Sequence, residues 1–420
     1  MTAAILRLNR RTFASLQHRN YRLFFFGQVT SVTGTWMQNV AAAWLVLELT
    51  GSPVAVGVLA LCQFLPFTAL GWFSGVLTDR FDARRLVLTT QWALMVQAAA
   101  LAALTLIGDV ELWQIYVLTV LRGCAMVFDA PARQALTYQM VGPGELPNAV
   151  ALNSSLFNAA RVVGPALGGV VVAAFGPGVC FAVNAVSFAA VLGCLIAMRV
   201  RDLVPVERQA EAPTVFRGTW EAIRYARDVR RVGVLLVLVG LVSTFAFNFN
   251  VLLPVLAKET LHAGPEVFGV LSASFGAGAL AGALLSATRG RASIRAVLVG
   301  TAGFGAAELA LSLSSSLVPA VLLLFATGTC FTVWTSNSNA TLQLGAPDHI
   351  RGRVLGLYFY AFLGAQPIGG LVAGWLADVG GAGLAFAFGG VITLAATVFA
   401  FARLVEQPGL RIAQALGLHS

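Results

Sequence analysis

Twelve long apolar runs constrain this chain more than any other feature. They cover residues 23–47, 54–77, 86–107, 112–128, 149–175 and 179–198, then 232–256, 268–287, 296–317, 319–342, 354–376 and 384–404. A helix that crosses a bilayer needs about 20 mostly apolar residues. With no water in the hydrocarbon region, backbone N–H and C=O groups must pair within their own segment, so each run is predicted to be a helix. The predicted fold is an all-α membrane protein of twelve transmembrane helices in two six-helix bundles. Residues 1–22 form a tail, 23–198 the first bundle, 199–231 a polar linker, 232–404 the second bundle and 405–420 a second tail.

Composition excludes the soluble alternatives. Only 11% of the residues are charged and 58% are hydrophobic, against roughly 25% charged in soluble domains. The net charge of +9 does not signal nucleic acid, because the basic residues are scattered in short clusters between apolar runs. Those clusters orient the chain instead. With the N-terminus inside, 24 of the 27 Lys and Arg residues fall in the tails, the linker, alternate loops and, for Arg403, the inner end of the last span, with Arg133 after span 4 among them. Lys258 is the basic residue assigned outside, and Arg122 and Arg161 lie within spans. The positive-inside rule then places both termini and the linker in the cytoplasm. Residues 1–22 hold five arginines and no apolar core of signal type, so the chain is expected to enter the membrane at its first span. Cys62, Cys124, Cys180, Cys194 and Cys330 sit in apolar runs as small hydrophobes, and the four histidines lie in loops or tails. No metal, cofactor or catalytic group is expected.

The halves echo each other. Residues 143–169 read P-x-x-L-x-N-A-V-A-L and then G-P-x-x-G-G, while residues 347–370 read P-x-x-I-x-x-x-V-L-G-L and then Q-P-I-G-G. Such a repeat is what duplication of a six-helix unit leaves, and parallel repeats are typical of transporters that rock around a midplane site. In the linker, Phe216, Trp220 and Ile223 at helical spacing are read as lying opposite Arg217, Arg224 and Arg227. This is the pattern of a helix on the membrane surface, with a solvated tether as the alternative.

The loop after span 2 reads Gly75-Val-Leu-Thr-Asp79-Arg80-Phe-Asp-Ala-Arg84-Arg85. It resembles the G-x-L-x-D-R-x-G-R-R signature of the major facilitator superfamily, with Asp82 and Ala83 departing from it. The resemblance implies a cytoplasmic gate in which Asp79, Arg80, Arg84 and Arg85 engage neighbouring helix ends. Span 5 carries Gly164-Pro165-Ala-Leu-Gly168-Gly169, similar to the motif of exporters and drug–proton antiporters within that superfamily. Residues 18–24 (H-R-N-Y-R-L-F), 34–39 (G-T-W-M-Q-N), 128–134 (F-D-A-P-A-R-Q) and 351–354 (R-G-R-V) resemble the group containing the enterobactin exporter. That likeness runs over about residues 18–378. It implies the major facilitator fold and proton-driven export of siderophores, macrolides or other amphipathic compounds.

Charges at mid-membrane are costly and usually face a cavity. Arg122 and Arg161 lie near the middle of spans 4 and 5. Arg122 resembles the helix-4 arginine linked in the superfamily to proton coupling, although Ala125-Met126 replace the usual Gln-Gly. Asp129 shares its helix face at i+7 and is its expected partner. Glu308 is the one carboxylate well inside a second-half span and is the other proton-site candidate, since an apolar surrounding disfavours its charged form. Trp36, Gln38, Asn39, Asn158, Arg161, Asn248, Asn250, Trp334 and Asn337, with Arg122 and Phe247, are the predicted cavity lining. The expected function is a secondary active exporter. It moves a small, anionic or neutral amphipathic molecule out of the cell by alternating access, in exchange for protons. A lysophospholipid flippase or a solute importer of the same fold is the alternative. The expected setting is a bacterial inner membrane, as a monomer among lipids, without nucleic acid.

Overall fold

In the computed structural model, residues 13–205, 215–289 and 292–405 are described, less the side chains of 72–80, 215–219, 289, 348–349 and 405. The predicted gate residues Gly75, Asp79 and Arg80, and Phe216 and Arg217 of the linker, therefore lie outside the described side chains.

Among the described residues the regular structure is helical, in the order α1 (Arg19–Thr50), α2 (Pro53–Arg80), α3 (Ala83–Ile107), α4 (Leu112–Phe175), α5 (Pro177–Ile196), α6 (Val215–Asp228), α7 (Arg230–Phe245), α8 (Phe249–Val255), α9 (Pro265–Arg289), α10 (Ile294–Ser312), α11 (Leu317–Gly345), α12 (Asp348–Leu363) and α13 (Gln366–Val405). Nine segments among the described residues are long and apolar enough to cross a membrane. Two hold more than one predicted span. The 64-residue α4 breaks at Gly142 (φ 70°, ψ 178°), and α13 breaks at Gly380 and Gly381, the latter at φ 72°. Glycine is the residue for these hinges, because positive φ with ψ near 180° is essentially closed to L side chains, at a cost of about 1–3 kcal/mol. With those two divided and α1 added, the predicted spans are accounted for, although 232–256 is shared between α7 and α8 and 354–376 between α12 and α13.

The helices are apolar nearly all round, as lipid requires. Large hydrophobes such as Phe26, Trp92, Trp113 and Val186 point outward, while Gln28, Gln38, Gln91, Gln97 and Asn184 are buried. Polar side chains inside the bundle replace the hydrophobic drive that lipid cannot supply, each worth about 0.6 kcal/mol on average. Where water returns, caps take over. Asp82 accepts from Arg85 N at 2.9 Å to start α3, Glu111 and Gln114 form a capping box on α4, and Ser293 accepts from Ala296 N at 3.1 Å to start α10.

The chain divides into two compact units. One comprises Met1–Ala42 with Ala69–Ala212, the other Ala43–Thr68 with Pro213–Ser420. In the first, Gln38 Nε2 donates to Gln97 Oε1 at 3.1 Å, and Asn184 Nδ2 donates to Gln38 Oε1 at 2.5 Å, tying α1, α3 and α5 together. The span-5 glycines sit against α1. A Cβ on Gly164 would collide with Trp36 Cβ, and one on Gly168 would lie 3.0 Å from Met37 Cα. Arg84 donates to the Leu195 carbonyl at 2.8 and 3.2 Å, closing the end of α5.

In the second unit the hairpin of residues 43–68 packs on α13 through glycine. A Cβ on Gly374 would lie 3.1 Å from Gly57 Cα, and Thr68 Oγ1 donates to Gly364 O at 2.8 Å. The linker helix α6 is held by an ion pair between Glu221 and Arg353 and by Tyr225 OH donating to Gly345 O at 3.0 Å. Its predicted division into faces needs one correction. Arg227 does not oppose Trp220 but lies over its ring, 6.0 Å from the centroid. Seven residues are nearly two helical turns, so the pair shares a face.

Candidate functional site

The first unit contains a cavity of about 600 Å³. Its walls come from the start of α1 (Phe24, Gln28) and from both limbs of α4 around the Gly142 break (Ala130, Arg133, Gln134, Thr137, Tyr138, then Leu146, Val150, Asn153, Ser154, Leu156, Phe157, Asn158). A helix that folds back at one glycine presents two facing stripes of its own sequence, and these line the site.

One buried charge network organises it. Asp129, 1% exposed, accepts from Thr90 Oγ1 at 2.8 Å, from Gln91 Nε2 at 2.9 Å and from Arg133 Nε at 2.7 Å. The arginine is the next residue on the same helix face, at i+4. Its Nη1 donates to Gln28 Oε1 at 2.7 Å, and its guanidinium lies 5.8 Å from the Phe157 ring centroid. The carboxylate cancels the guanidinium charge while two of the arginine's nitrogens fix its plane. What remains toward the cavity is a donor edge among aromatic, aliphatic and amide groups. Such a surface suits an amphipathic molecule carrying an acceptor or a carboxylate.

This network corrects two expectations. Arg133 is not a loop residue; α4 runs on through Pro131 to the Gly142 break, so Arg133 lies within the helix and lines the cavity. Asp129 does not pair with Arg122. It is held by Arg133, Thr90 and Gln91, and buried Arg122 has no hydrogen bond or ion pair among the described residues. The polar stripe of span 1 that begins at Gln28 was readable in the sequence, whereas Phe24, Gln134, Tyr138 and Asn153 were missed as lining. The H-R-N-Y-R-L-F and F-D-A-P-A-R-Q stretches were the available signal for Phe24 and Gln134.

The other predicted lining residues are dispersed. Of them, Asn158 is at the cavity, donating to Ser154 O at 2.9 Å. Gln38 is consumed in the amide tie between helices. Asn39 is half-buried with its Oδ1 unpartnered among the described residues. Arg161 lies over Trp36, 5.7 Å from its ring centroid.

In the second unit, Asn248 donates to Thr244 O at 2.8 Å and Asn337 to Val333 O at 2.8 Å, both back along the chain, while Asn250 is exposed. Trp334, 0% exposed, belongs to a packed aromatic cluster in which Phe247 stacks on Phe331 at 4.5 Å between centroids. Aromatic residues read as cavity lining are there as core. Glu308 is 0% exposed, and neither carboxylate oxygen has a partner among the described residues. No cluster of three or more His, Cys, Asp or Glu side chains suited to a metal occurs among the described residues.

A family profile, the transmembrane secretion effector family of the major facilitator superfamily, matches residues 10–411. The chain belongs to that family. It is therefore a multi-pass membrane transporter of small molecules and not an enzyme. Among its relatives, the multidrug efflux pump Tap of Mycolicibacterium fortuitum is 28% identical over 86% of this chain and 89% of its own length. The staphyloferrin A transporter of Staphylococcus aureus is 24% identical over 90% and 94%. Macrolide efflux protein A of Streptococcus pyogenes is 24% identical over 86% and 91%. Among solved structures, the nucleoside transporter NupG superposes with a TM-score of 0.74 at 13% identity, covering 92% of this chain and 99% of that one. A POT family transporter bound to 5-aminolevulinic acid gives 0.75 at 12%, covering 91% and 96%. These two establish the major facilitator fold for this secretion effector.

Proposed function

We propose that this chain exports a small, neutral or anionic amphipathic molecule, of siderophore-like or drug-like character, in exchange for protons. The observation that carries this reading is the cavity in which Arg133 offers a charge-balanced donor edge beside Phe157, Phe24 and a row of amides. A lipophilic cation would gain nothing from that edge. Relatives named for drug efflux and siderophore transport support the direction. The protein works as a monomer in a bacterial inner membrane, with bundles 23–198 and 232–404 joined by the linker 199–231 and both termini cytoplasmic. Arg122 and Arg161 add positive potential to the first bundle and disfavour cationic cargo. The cytoplasmic gate is built on Gly75, Asp79, Arg80, Arg84 and Arg85, of which Arg84 already grips the end of α5. Gly164, Pro165, Gly168 and Gly169 set how closely the α4 limb approaches α1.

Everted membrane vesicles with an interior-acid gradient provide the test, using labelled chloramphenicol as a neutral drug, a hydroxycarboxylate siderophore and ethidium as probes. Uptake of either of the first two is expected, abolished by collapsing the gradient and reduced at least tenfold by Arg133→Gln. Preference for ethidium, or accumulation driven into right-side-out vesicles, would overturn the reading. The latter result would favour an importer.

A further inference from the structure

Two carboxylates lie within the membrane-spanning segments deep enough to exchange a proton in transport, and their surroundings are opposite. Asp129 is saturated by Arg133, Thr90 and Gln91. A proton added there would have to displace a guanidinium at 2.7 Å, which makes that carboxylate a structural anion. Glu308 on α10 is fully buried, and neither oxygen is partnered among the described residues. A buried carboxylate with neither counter-ion nor hydrogen bond is unfavourable as an anion and tolerable as a neutral acid.

The groups facing Glu308 come from the helices packed against α10. The helix α11 carries no charged residue over Leu317–Gly345. On α13 the charges are Asp378, beyond the Gly380–Gly381 break, and Arg403, near the C-terminal end. On α7 they are Arg230 and Arg231 at its start, and α8 has none. Arg295, the other charged residue of α10, is 13 positions away along the helix, about 20 Å at 1.5 Å per residue. No charge faces Glu308 from any of these elements.

What does face it is the break between α7 and α8. The point that a Cβ on Gly389 would occupy lies 3.0 Å from Ala246 Cα, 3.1 Å from Phe245 O and 3.3 Å from Glu308 Oε2. A side chain at position 389 would fill the space that the carboxyl and the break share. At the break, Ala246 N and Phe247 N both turn back to Val242 O, and Asn248 N bonds Ala246 O. The Phe245 carbonyl accepts no hydrogen bond among the described residues. Thr393, whose Cβ would lie 3.0 Å from a Cβ on Gly305 one turn from Glu308, adds a buried Oγ1 that is also unpartnered.

We propose that Glu308, not Asp129, carries the exchanged proton, and that its charge state acts on the α7–α8 break. This rests on the proton-exchange reading above. The carboxylate takes one proton from the outer side and becomes a neutral acid. Its single O–H then has the orphaned Phe245 carbonyl as the acceptor within the same pocket. Release of that proton to the inner side leaves a carboxylate facing a carbonyl oxygen, two like dipole ends, with the unpartnered Thr393 hydroxyl of α13 as a donor on the neighbouring helix. The junction must shift to relieve this. It can do so cheaply, because it has no helical hydrogen bond at Phe245 to lose. A proton is favoured over a metal cation because Glu308 belongs to no cluster of three or more carboxylate, histidine or cysteine side chains among the described residues.

The test uses the full chain in lipid nanodiscs and needs neither cargo nor direction. Infrared difference spectroscopy is expected to show the C=O stretch of a protonated carboxylic acid at neutral pH. The band should be lost in Glu308→Gln, kept in Asp129→Asn, and shifted rather than lost in Glu308→Asp. Raising pH should remove the band in the unsubstituted chain. It should also speed hydrogen exchange of residues 242–250 at least tenfold beyond the intrinsic pH effect, with no such excess in Glu308→Gln. A band that survives Glu308→Gln, or vanishes in Asp129→Asn alone, would overturn the proposal. So would equal exchange in both proteins. Loss of the band on replacing K⁺ by Na⁺ at constant pH would also overturn it, in favour of a sodium site. Failure of the vesicle experiment with success here would discard the exporter reading and leave the proton site standing.

Discussion

At the scale of single residues, the Asp129–Arg133 pair decides what the cavity is. Breaking a buried ion pair by removing one partner costs about 3–5 kcal/mol, because the other charge is stranded. Asp129→Asn is therefore expected to lower the apparent unfolding temperature in detergent sharply. The double variant Asp129→Asn/Arg133→Gln, which removes both charges, should recover at least half of that loss. Additive losses in this cycle would show that the two side chains act independently. Cargo binding should not recover in the double variant, since the donor edge is gone. Asp129 was legible in the sequence as a membrane carboxylate, but its partner was not. A run-finding rule ends a span where charges appear, and the i+4 pair cancels its own charge within the helix, so α4 continues where the apolar count stops.

At the scale of elements, the close approach of α4 to α1 depends on glycines that admit no side chain. Gly164→Leu must push Trp36 and Thr33 aside, and is expected to abolish transport while reducing the yield of folded protein at least threefold on size-exclusion chromatography. Gly193→Ala is the control: a Cβ there meets nothing within 4 Å. It should leave stability unchanged or raise it by up to about 1 kcal/mol in thermal unfolding, since alanine is the better helix former. Gly142→Ala tests the hinge. With φ at 70° and ψ at 178° it should cost about 1–3 kcal/mol and weaken probe binding in the cavity that the hinge shapes. The helices themselves were readable from the apolar runs. The length of α4 was not, because Pro131 within a membrane helix reads as a terminus although neighbouring helices tolerate it.

At the scale of the whole molecule, the prediction is topological. In a background with all five cysteines replaced, Asp109→Cys and His262→Cys are expected to react with an impermeant maleimide added to intact spheroplasts. Asp202→Cys should react after permeabilisation alone. The reverse pattern would invert the arginine-based orientation. The aromatic residues teach the complementary lesson. Trp334 and Phe247 looked like cavity lining because an aromatic beside a polar residue in a span suits a ligand, yet they pack against Phe304 and Phe331. Composition gives the probability that a side chain is inside, not what it meets there.

From residue types and spacing one reads that lipid is the solvent, where helices lie and which superfamily the motifs resemble. All of these depend on local hydropathy, charge and short-range order along the chain. Which carboxylate is paired, which arginine faces the cavity and which carbonyl is left without a donor were decided by tertiary structure. Asp129 and Glu308 are the same chemical group in similar apolar runs. What separates them is whether a helix distant in sequence, or the next turn of the same one, brings a donor within 3 Å. Such proximity is a property of packing in three dimensions, and no one-dimensional pattern carries it.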